Sequence, residues 1–452
     1  TEANKMLEAP RNMIGLLVQL EQESRENPDD IQLMLRLARL YLKNGAEDDA
    51  VRVFQKILKI EPENAVIMVE LANCRIRQRL FEEAIFLLER AQEIKPGFYA
   101  VFLTFARLYE AMKNAEKQVS FMMLAANAAP EKTEIRLSLA DLLKRFGDVT
   151  GAIAQYQALI DEHPKLEPAL FALGTLLMNR NELNDAMLCF RRILNINPGA
   201  FDAHFNLANC LFRQKKYQMA ITHFRFASRN RQLLERSLYL SAQCYLHMKD
   251  FDRAIVAMEQ LVTYDENNIS YQKSLAEIYS TAGEHDLAKD AWKQLSRIAP
   301  DRPEFMVKHA QTLVLLKDFD RAEKVLDTLF RMHPGHVEGH RVLGEIYLQK
   351  GLYKTAVEEF TRTLMINENY SAVYLDLARV YAAMNDAQNE YESLKKAVEL
   401  GVEKVEILLK LGQLEKRLKM PAFLDRFRRV TELDPHSISA QEAEYYLKHQ
   451  AA

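Results

Sequence analysis

His333, His336 and His340 stand close together, and His336-Val-Glu-Gly-His340 has the outline of a zinc-protease helix. In such a helix two histidines one turn apart hold the metal and a glutamate serves as base. Here the glutamate comes one place late, since the motif needs it directly after the first histidine. His340 also falls in a row that otherwise faces the interior, so packing and surface roles are expected in place of a metal site. His309 occupies a row of leucines and reads as a core histidine. The four cysteines, Cys74, Cys189, Cys210 and Cys244, show no C-x-x-C or other metal-ligand spacing. Cys74, Cys210 and Cys244 share one row and read as small buried packing residues. Reduced thiols fit the cytoplasm and leave an extracytoplasmic compartment open. No Gly-rich phosphate loop, nucleophile elbow or kinase signature occurs. The expectation is a chain that is not an enzyme, with no catalytic residue, metal or cofactor.

The charge balance points away from broad electrostatic binding. With 60 basic and 63 acidic residues the formal charge is −3, which gives no global pull toward nucleic acid or an anionic membrane. No apolar run approaches the roughly 18 residues of a membrane span. The start lacks the charged and apolar regions of a leader, although Thr1 in place of Met leaves room for a removed leader or an upstream domain. Protein partners are therefore expected to be recognised locally, with neither nucleic-acid binding nor direct membrane insertion. Gly and Pro are scarce at 14 and 13 residues, a composition that favours helix. The 452 residues exceed the roughly 250–300 at which a single core stops growing, so the chain is either several domains or a solenoid.

A fixed period decides for the solenoid. Pro28, Pro62, Pro96, Pro130, Pro164 and Pro198 follow at steps of 34, and Pro300 and Pro334 keep the same register. A stricter ladder runs Ala38, Ala72, Ala106, Ala140, Gly174, Ala208, Ala242, Ala276, Ala310, Gly344, Ala378 and Gly412. A third runs Ala50, Ala84, Ala152, Ala186, Ala220, Ala254, Ala288, Ala322 and Ala356, with Gln118 and Glu390 in the missing places. Phe54, Leu88, Met122, Tyr156, Phe190, Phe224, Met258, Trp292, Leu326 and Phe360 keep time with it. Within one period Leu170, Leu173, Gly174 and Leu177 share a helical face, as do Ala186, Phe190 and Ile193 on a second helix. Small residues belong where the helices cross, and Pro198 ends the second helix because it cannot continue one. Such a hairpin buries its apolar face only by stacking on its neighbours.

The ladder resembles the tetratricopeptide repeat family from about Ile31 to His436, on Leu37-Ala38, Tyr41, Ala50, Phe54 and Pro62, and again on Leu343-Gly344, Tyr347, Ala356 and Phe360. The resemblance implies an all-α fold, an α-solenoid right-handed superhelix of antiparallel helix pairs. The expected organisation is an N-terminal helix or partial repeat over 1–30, twelve tandem repeats over 31–436 and a C-terminal capping helix over 437–452. In the first segment Ile14, Leu17 and Leu20 are expected to face inward, and in the last Tyr445 and Leu447 to cover the final hairpin. Gln232, Glu266, Glu368 and Val402 replace the closing proline, and the pitch is expected to change at those junctions.

By the same resemblance, ligands lie along the concave face of the first helices. One row there holds Leu137, Phe171, Phe205 and Tyr239, a second Met178, Phe212 and Leu246, and a third Asn73, Arg107, Asn209 and Gln243. Apolar pockets with interleaved amides suit an extended peptide or a helix, with packing against the next repeat as the other reading. Arg39, Lys43, Arg77, Arg107, Lys144, Arg145 and Arg213 form a basic set fit for an acidic segment, or else a solvated charged face. The carboxylate clamp of chaperone-binding members is missing, since Leu35 and Arg39 stand in its place. The asparagine ladder of glycosyltransferase-linked arrays is missing too, with Asn206 alone in the right row. The favoured function is a non-catalytic scaffold or adaptor that binds peptide segments or protein surfaces along this groove. A substrate-recruiting arm of a larger enzyme, or self-association through the end repeats as a structural polymer, are the alternatives.

Overall fold

Each 34-residue period folds as two antiparallel helices, and the sequence shows why. In the computed structural model, which describes residues 15–449, Glu167–Asn179 and Leu183–Ile196 form one such hairpin. Pro168 sits in the first turn, where its missing N–H costs nothing. The second helix ends at Ile196, ahead of Pro198. Elsewhere Asp30, Asn64, Asn114, Asp148, Asp250, Asn268, Asp318, Asp386 and Ser437 accept a hydrogen bond from a free N–H of the helix that follows. No strand occurs among the described residues.

The small-residue ladder is the helix crossing. Ala38, Ala72, Ala140, Ala208, Ala242, Ala276 and Ala310 are fully buried. A Cβ built on Gly174 would stand 2.9 Å from the Phe190 ring, and one on Gly344 2.6 Å from the Phe360 ring, closer than carbon atoms pack. The two exceptions in the neighbouring ladder are both buried polar groups that meet a cation from the next hairpin. Gln118 accepts from Arg145 at 3.4 Å, and Glu390 lies 3.4 Å from Lys410 Nζ. A polar side chain is tolerated at these interior positions because it is paired.

The chain divides into two units between Leu233 and Leu234. The first holds six hairpins, from Ile31–Lys43 with Glu47–Ile60 to Phe201–Arg213 with Tyr217–Ala227. Ahead of them residues 15–26 are helical, and Leu17 and Leu20 pack on the cluster of Met34, Leu37 and Phe54. Ile14 lies outside the described residues. The division falls inside the helix Arg231–His247, at 17 residues the longest of the array's first helices. Gln232 stands there where a proline would have limited the helix.

The second unit continues through Phe251–Tyr264, four further hairpins, and Val405–Arg417 with Phe423–Leu433, to a final helix Ile438–Lys448. Ala440 and Ala443 of that helix are fully buried, and Tyr446 stacks on Phe427 at 4.9 Å. Leu447 packs at the same cluster, as expected. Tyr445 does not: it is 60% exposed. The helix presents its Ala440, Ala443 and Tyr446 side inward, which turns Tyr445 outward.

All twelve hairpin turns share one feature that the sequence reading missed. Gly45, Arg79, Lys113, Gly147, Asn181 and Lys215 in the first unit have positive φ, as do Lys249, Gly283, Lys317, Gly351, Asn385 and Lys419 in the second. The residue just past a helix end takes this left-handed conformation so that the chain can reverse. Four glycines in one phase of the period were the available signal, masked by eight other residues of three types.

Candidate functional site

The first helices of the first unit carry most of the expected groove residues, but they do not form a row of exposed aromatics. Phe205 is only 5% exposed and packs edge-on against Phe224 at 5.8 Å, and Met178 is also buried. These two belong to the interior, because a side chain on this face of the helix can turn toward the second helix of its own hairpin. Phe171 is half-buried, its ring edge-on to Phe190 at 6.0 Å. Leu137 and Phe212 are half-buried, the latter against Tyr217 at 5.7 Å. Tyr239, Gln243 and Leu246 belong to the second unit. Tyr239 is exposed there, 6.5 Å from Tyr271, and the other two are half-buried.

The amides are partly engaged. Asn73 donates through Nδ2 to the Val69 carbonyl at 2.9 Å and accepts from Arg107 at 3.4 Å. Asn209 donates to the Phe205 carbonyl at 2.9 Å and keeps its oxygen for another donor. Much of the basic set is neutralised. Arg77 pairs with Glu47 at 3.1 Å, Lys144 with Asp141 at 3.1 Å and Arg145 with Glu110 at 3.2 Å, while Arg213 donates to the Met178 carbonyl at 2.9 Å. The acids come from neighbouring turns, out of reach of a row-by-row reading. Arg39 and Lys43 have no partner among the described residues.

Around Phe171 the structure opens a cleft of about 1320 Å³. Asp141 and Lys144 border it from one first helix, Phe171, Ala172 and Thr175 form its floor, and Asp202 and Ala203 close it from the next. A second depression of about 660 Å³ around Leu137 shares Lys165 and Leu166 with it, so the two adjoin. Ala172 helps to create the space, since a longer side chain there would fill it. Asp141 is held on the rim by the hydroxyl of buried Tyr156, which donates to it at 2.5 Å. Burial, aided by Asp141, pushes the Tyr156 phenol above its ordinary range and keeps it a donor. Together the two depressions form a channel with apolar side chains in its lining and polar groups at its edge.

The histidines and cysteines have other duties. His336 Nδ1 accepts from the Gly339 N–H at 3.1 Å and caps a helix. His340 stacks on Phe330 at 4.3 Å, with Nδ1 2.8 Å from Glu359 and Nε2 2.9 Å from the Pro334 carbonyl. Among the described residues no group of three side chains is placed to hold a metal ion. His309 is buried, and desolvation lowers its pKa to about 4. All four cysteines are buried and free, and desolvation raises the thiols of Cys210 and Cys244 to about 11 and about 12. No helix among the described residues is long and apolar enough to cross a membrane.

Models of the tetratricopeptide repeat match residues 44–97, 135–165 and 307–372 of this chain. They fall on helix hairpins whose small and bulky ladders run without a break between them. The chain belongs to the tetratricopeptide repeat family. Residues 179–261 also match the family described as anaphase-promoting complex, cyclosome, subunit 3. Human tetratricopeptide repeat protein 13 is 27% identical over 170 residues, a match that covers 36% of this chain and 19% of the human protein. Among solved structures, the chain is similar to Naa15/Naa10 bound to HypK-THB, with 18% identity over 92% of this chain and 66% of that one and a TM-score of 0.46. Yeast Tom70 gives 14% identity over 92% and 95%, with a TM-score of 0.41. The hetero-tetramer Cut9-Hcn1 gives 14% over 98% and 94%, with 0.38. The family assignment rests on the repeats themselves.

The tetratricopeptide hairpins of the second unit carry a different surface at the same positions, and the sequence reading overlooked it. Arg341 stands in the row of Phe171, five periods on. Its Nε lies 2.7 Å from Asp376 and its Nη1 3.0 Å from Glu338. Arg379 continues the network to Asp376 at 3.2 Å and Glu345 at 3.0 Å, and Tyr370 donates to Glu338 at 2.6 Å. Burial opposes the Arg341 charge, but Asp376 and Glu338 outweigh it and hold the guanidinium pKa above its ordinary value. These charges satisfy one another, so this part of the second unit's face is a cross-linked polar surface and not an apolar channel. Following the row beyond Tyr239 would have shown it.

Proposed function

We propose that this chain is a non-catalytic protein-interaction scaffold that seats an extended peptide segment in the channel running past Leu137 and Phe171. The observation that supports this reading is the adjacency of the two depressions, which share Lys165 and Leu166 and are lined from successive first helices by apolar and polar side chains. An extended chain matches that geometry. Its apolar side chains would rest on Phe171 and Leu137, and its backbone amides would meet Asp141, Thr175 and Asn179. Lys165, exposed and without a partner among the described residues, would take a carboxylate.

Peptides selected from a display library on the purified full chain provide the test. Phe171→Ala should weaken the selected peptides by roughly tenfold or more, as expected for an aromatic anchor. The variant's helical content and melting should stay close to wild type, because Phe171 is only half-buried. Peptides that bind wild type and Phe171→Ala equally would place the site elsewhere.

A further inference from the structure

Positive charge is concentrated in one stretch of the first unit. Between Asp185 and Glu235 the chain carries eight basic residues and a single acid, Asp202, although its formal charge as a whole is −3. Asp202 belongs to a first helix and borders the channel around Phe171. The second helix of that hairpin, Tyr217–Ala227, contains no acid, which is true of no other second helix among the described residues. The second helix before it, Leu183–Ile196, has Asp185 in its first turn and none beyond.

On these two helices Arg191 and Arg225 stand one period apart, in a row that holds Gln55, Glu89, Met123 and Gln157 in the earlier hairpins. Both are exposed, with no hydrogen-bond or ion-pair partner among the described residues. Arg229, four residues after Arg225, is exposed as well. Its guanidinium lies 4.8 Å from the Phe226 ring and meets no carboxylate among the described residues. The positive field reaches inward, since burial, His204 and Arg191 together hold the His223 pKa below its ordinary value. Leu188, one turn before Arg191, is 57% exposed.

We infer that the outward face of these two helices, centred on Arg191, Arg225 and Arg229, is a docking surface for a carboxylate-rich protein segment. A guanidinium fork takes a carboxylate through two parallel hydrogen bonds, and these three receive none from their own chain. Leu188 adds an apolar contact that a protein segment can cover with its own side chains, whereas a phosphate backbone has nothing apolar to set there. The ring on which a single strand would stack is also taken, because His204 stacks on Phe226 at 4.9 Å and Arg229 lies over it. An anionic membrane draws on lysine as well as arginine. Only arginine supplies the fork, and all three cations at the centre of this face are arginines. The surface lies on second helices, apart from the channel, and does not depend on what the channel seats.

The test uses the full chain and a fluorescein-labelled synthetic peptide with Glu, Leu and Ala in helical repeat, read by fluorescence anisotropy. R191Q/R225Q/R229Q should bind it roughly five- to thirtyfold more weakly, the combined loss of three exposed charge contacts. Its helical content and melting should stay close to wild type, since all three side chains are exposed. K56Q/K59Q/R90Q takes the same charge from exposed positions on earlier second helices and should change binding by less than about twofold. Should the first variant lose helicity, Arg225→Gln alone should still weaken the peptide roughly two- to fivefold. Phe171→Ala should leave the affinity unchanged; a loss there would put the peptide in the channel and count against this surface. Equal weakening by the two triple variants would reduce the effect to net charge and overturn the inference. So would absence of binding by wild type or unchanged binding by the first variant. Loss by that variant of binding to phosphatidylserine vesicles or RNA, with peptide binding kept, would overturn it too.

Discussion

Replacing Gly344 by alanine sets two well-known effects against each other at one helix crossing. The added methyl would stand 2.6, 2.8 and 2.9 Å from Cε1, Cδ1 and Cζ of Phe360. Carbon atoms rest at about 3.5–4.0 Å, so the helices must part by about 1 Å. Phe360 is fully buried. Alanine favours helix over glycine by about 1 kcal/mol, whereas overpacking a core costs about 1–3 kcal/mol. A displacement of that size belongs near the upper end, so the expected net loss is about 1–2 kcal/mol. Ala38 over Phe54 and Ala208 over Phe224 are equally buried and show that a wider crossing admits the methyl. The effect should therefore follow the clash distance. It should be largest at Gly344, smaller at Gly412, where the closest approach to Phe427 is 2.8 Å, and smallest at Gly174, at 2.9 Å from Phe190. Hydrogen exchange is the suitable assay, because a repeat array opens locally and a global melt would average the loss. Protection should fall in Val337–Gln349 and Tyr353–Ile366. Adding Phe360→Leu should recover part of what Gly344→Ala loses. Greater protection in Gly344→Ala than in wild type would mean that helix propensity wins and that the crossing is looser than these distances state.

Two further outcomes follow from burial. His309 stays neutral when folded, with its pKa held at about 4 against an ordinary 6.5. Between those values the unfolded chain takes up a proton that the folded chain refuses, so stability should fall as pH drops from 6.5 to 4 and level off below. The full effect is on the order of 3 kcal/mol. Trp292, fully buried in the preceding hairpin, reports it by fluorescence, and His309→Gln should flatten the profile; parallel profiles for the two proteins would refute it. The cysteines should resist a thiol reagent at pH 8 in the native chain and react once it is unfolded, and rapid native labelling of Cys210 or Cys244 would contradict their burial.

The period, the hairpin and its core were legible in the sequence, because each rests on contacts within one hairpin or between adjacent ones. Ala208 crosses its own hairpin partner sixteen residues on, so residue type at a fixed spacing records the contact directly. The surface was not legible in the same way. Phe171 and Phe205 share a row and a residue type, yet one is half-buried and the other buried, because rotamer and backbone spacing choose where a ring settles. Arg77 and Arg145 looked like open cations until folding set Glu47 and Glu110, about one period away in sequence, beside them. The sequence by itself determined the repeating architecture, since burying an apolar stripe has one periodic solution. Only the tertiary structure decided which charges stay free and which aromatics stay open, since those depend on distances between neighbouring repeats that no spacing along the chain contains.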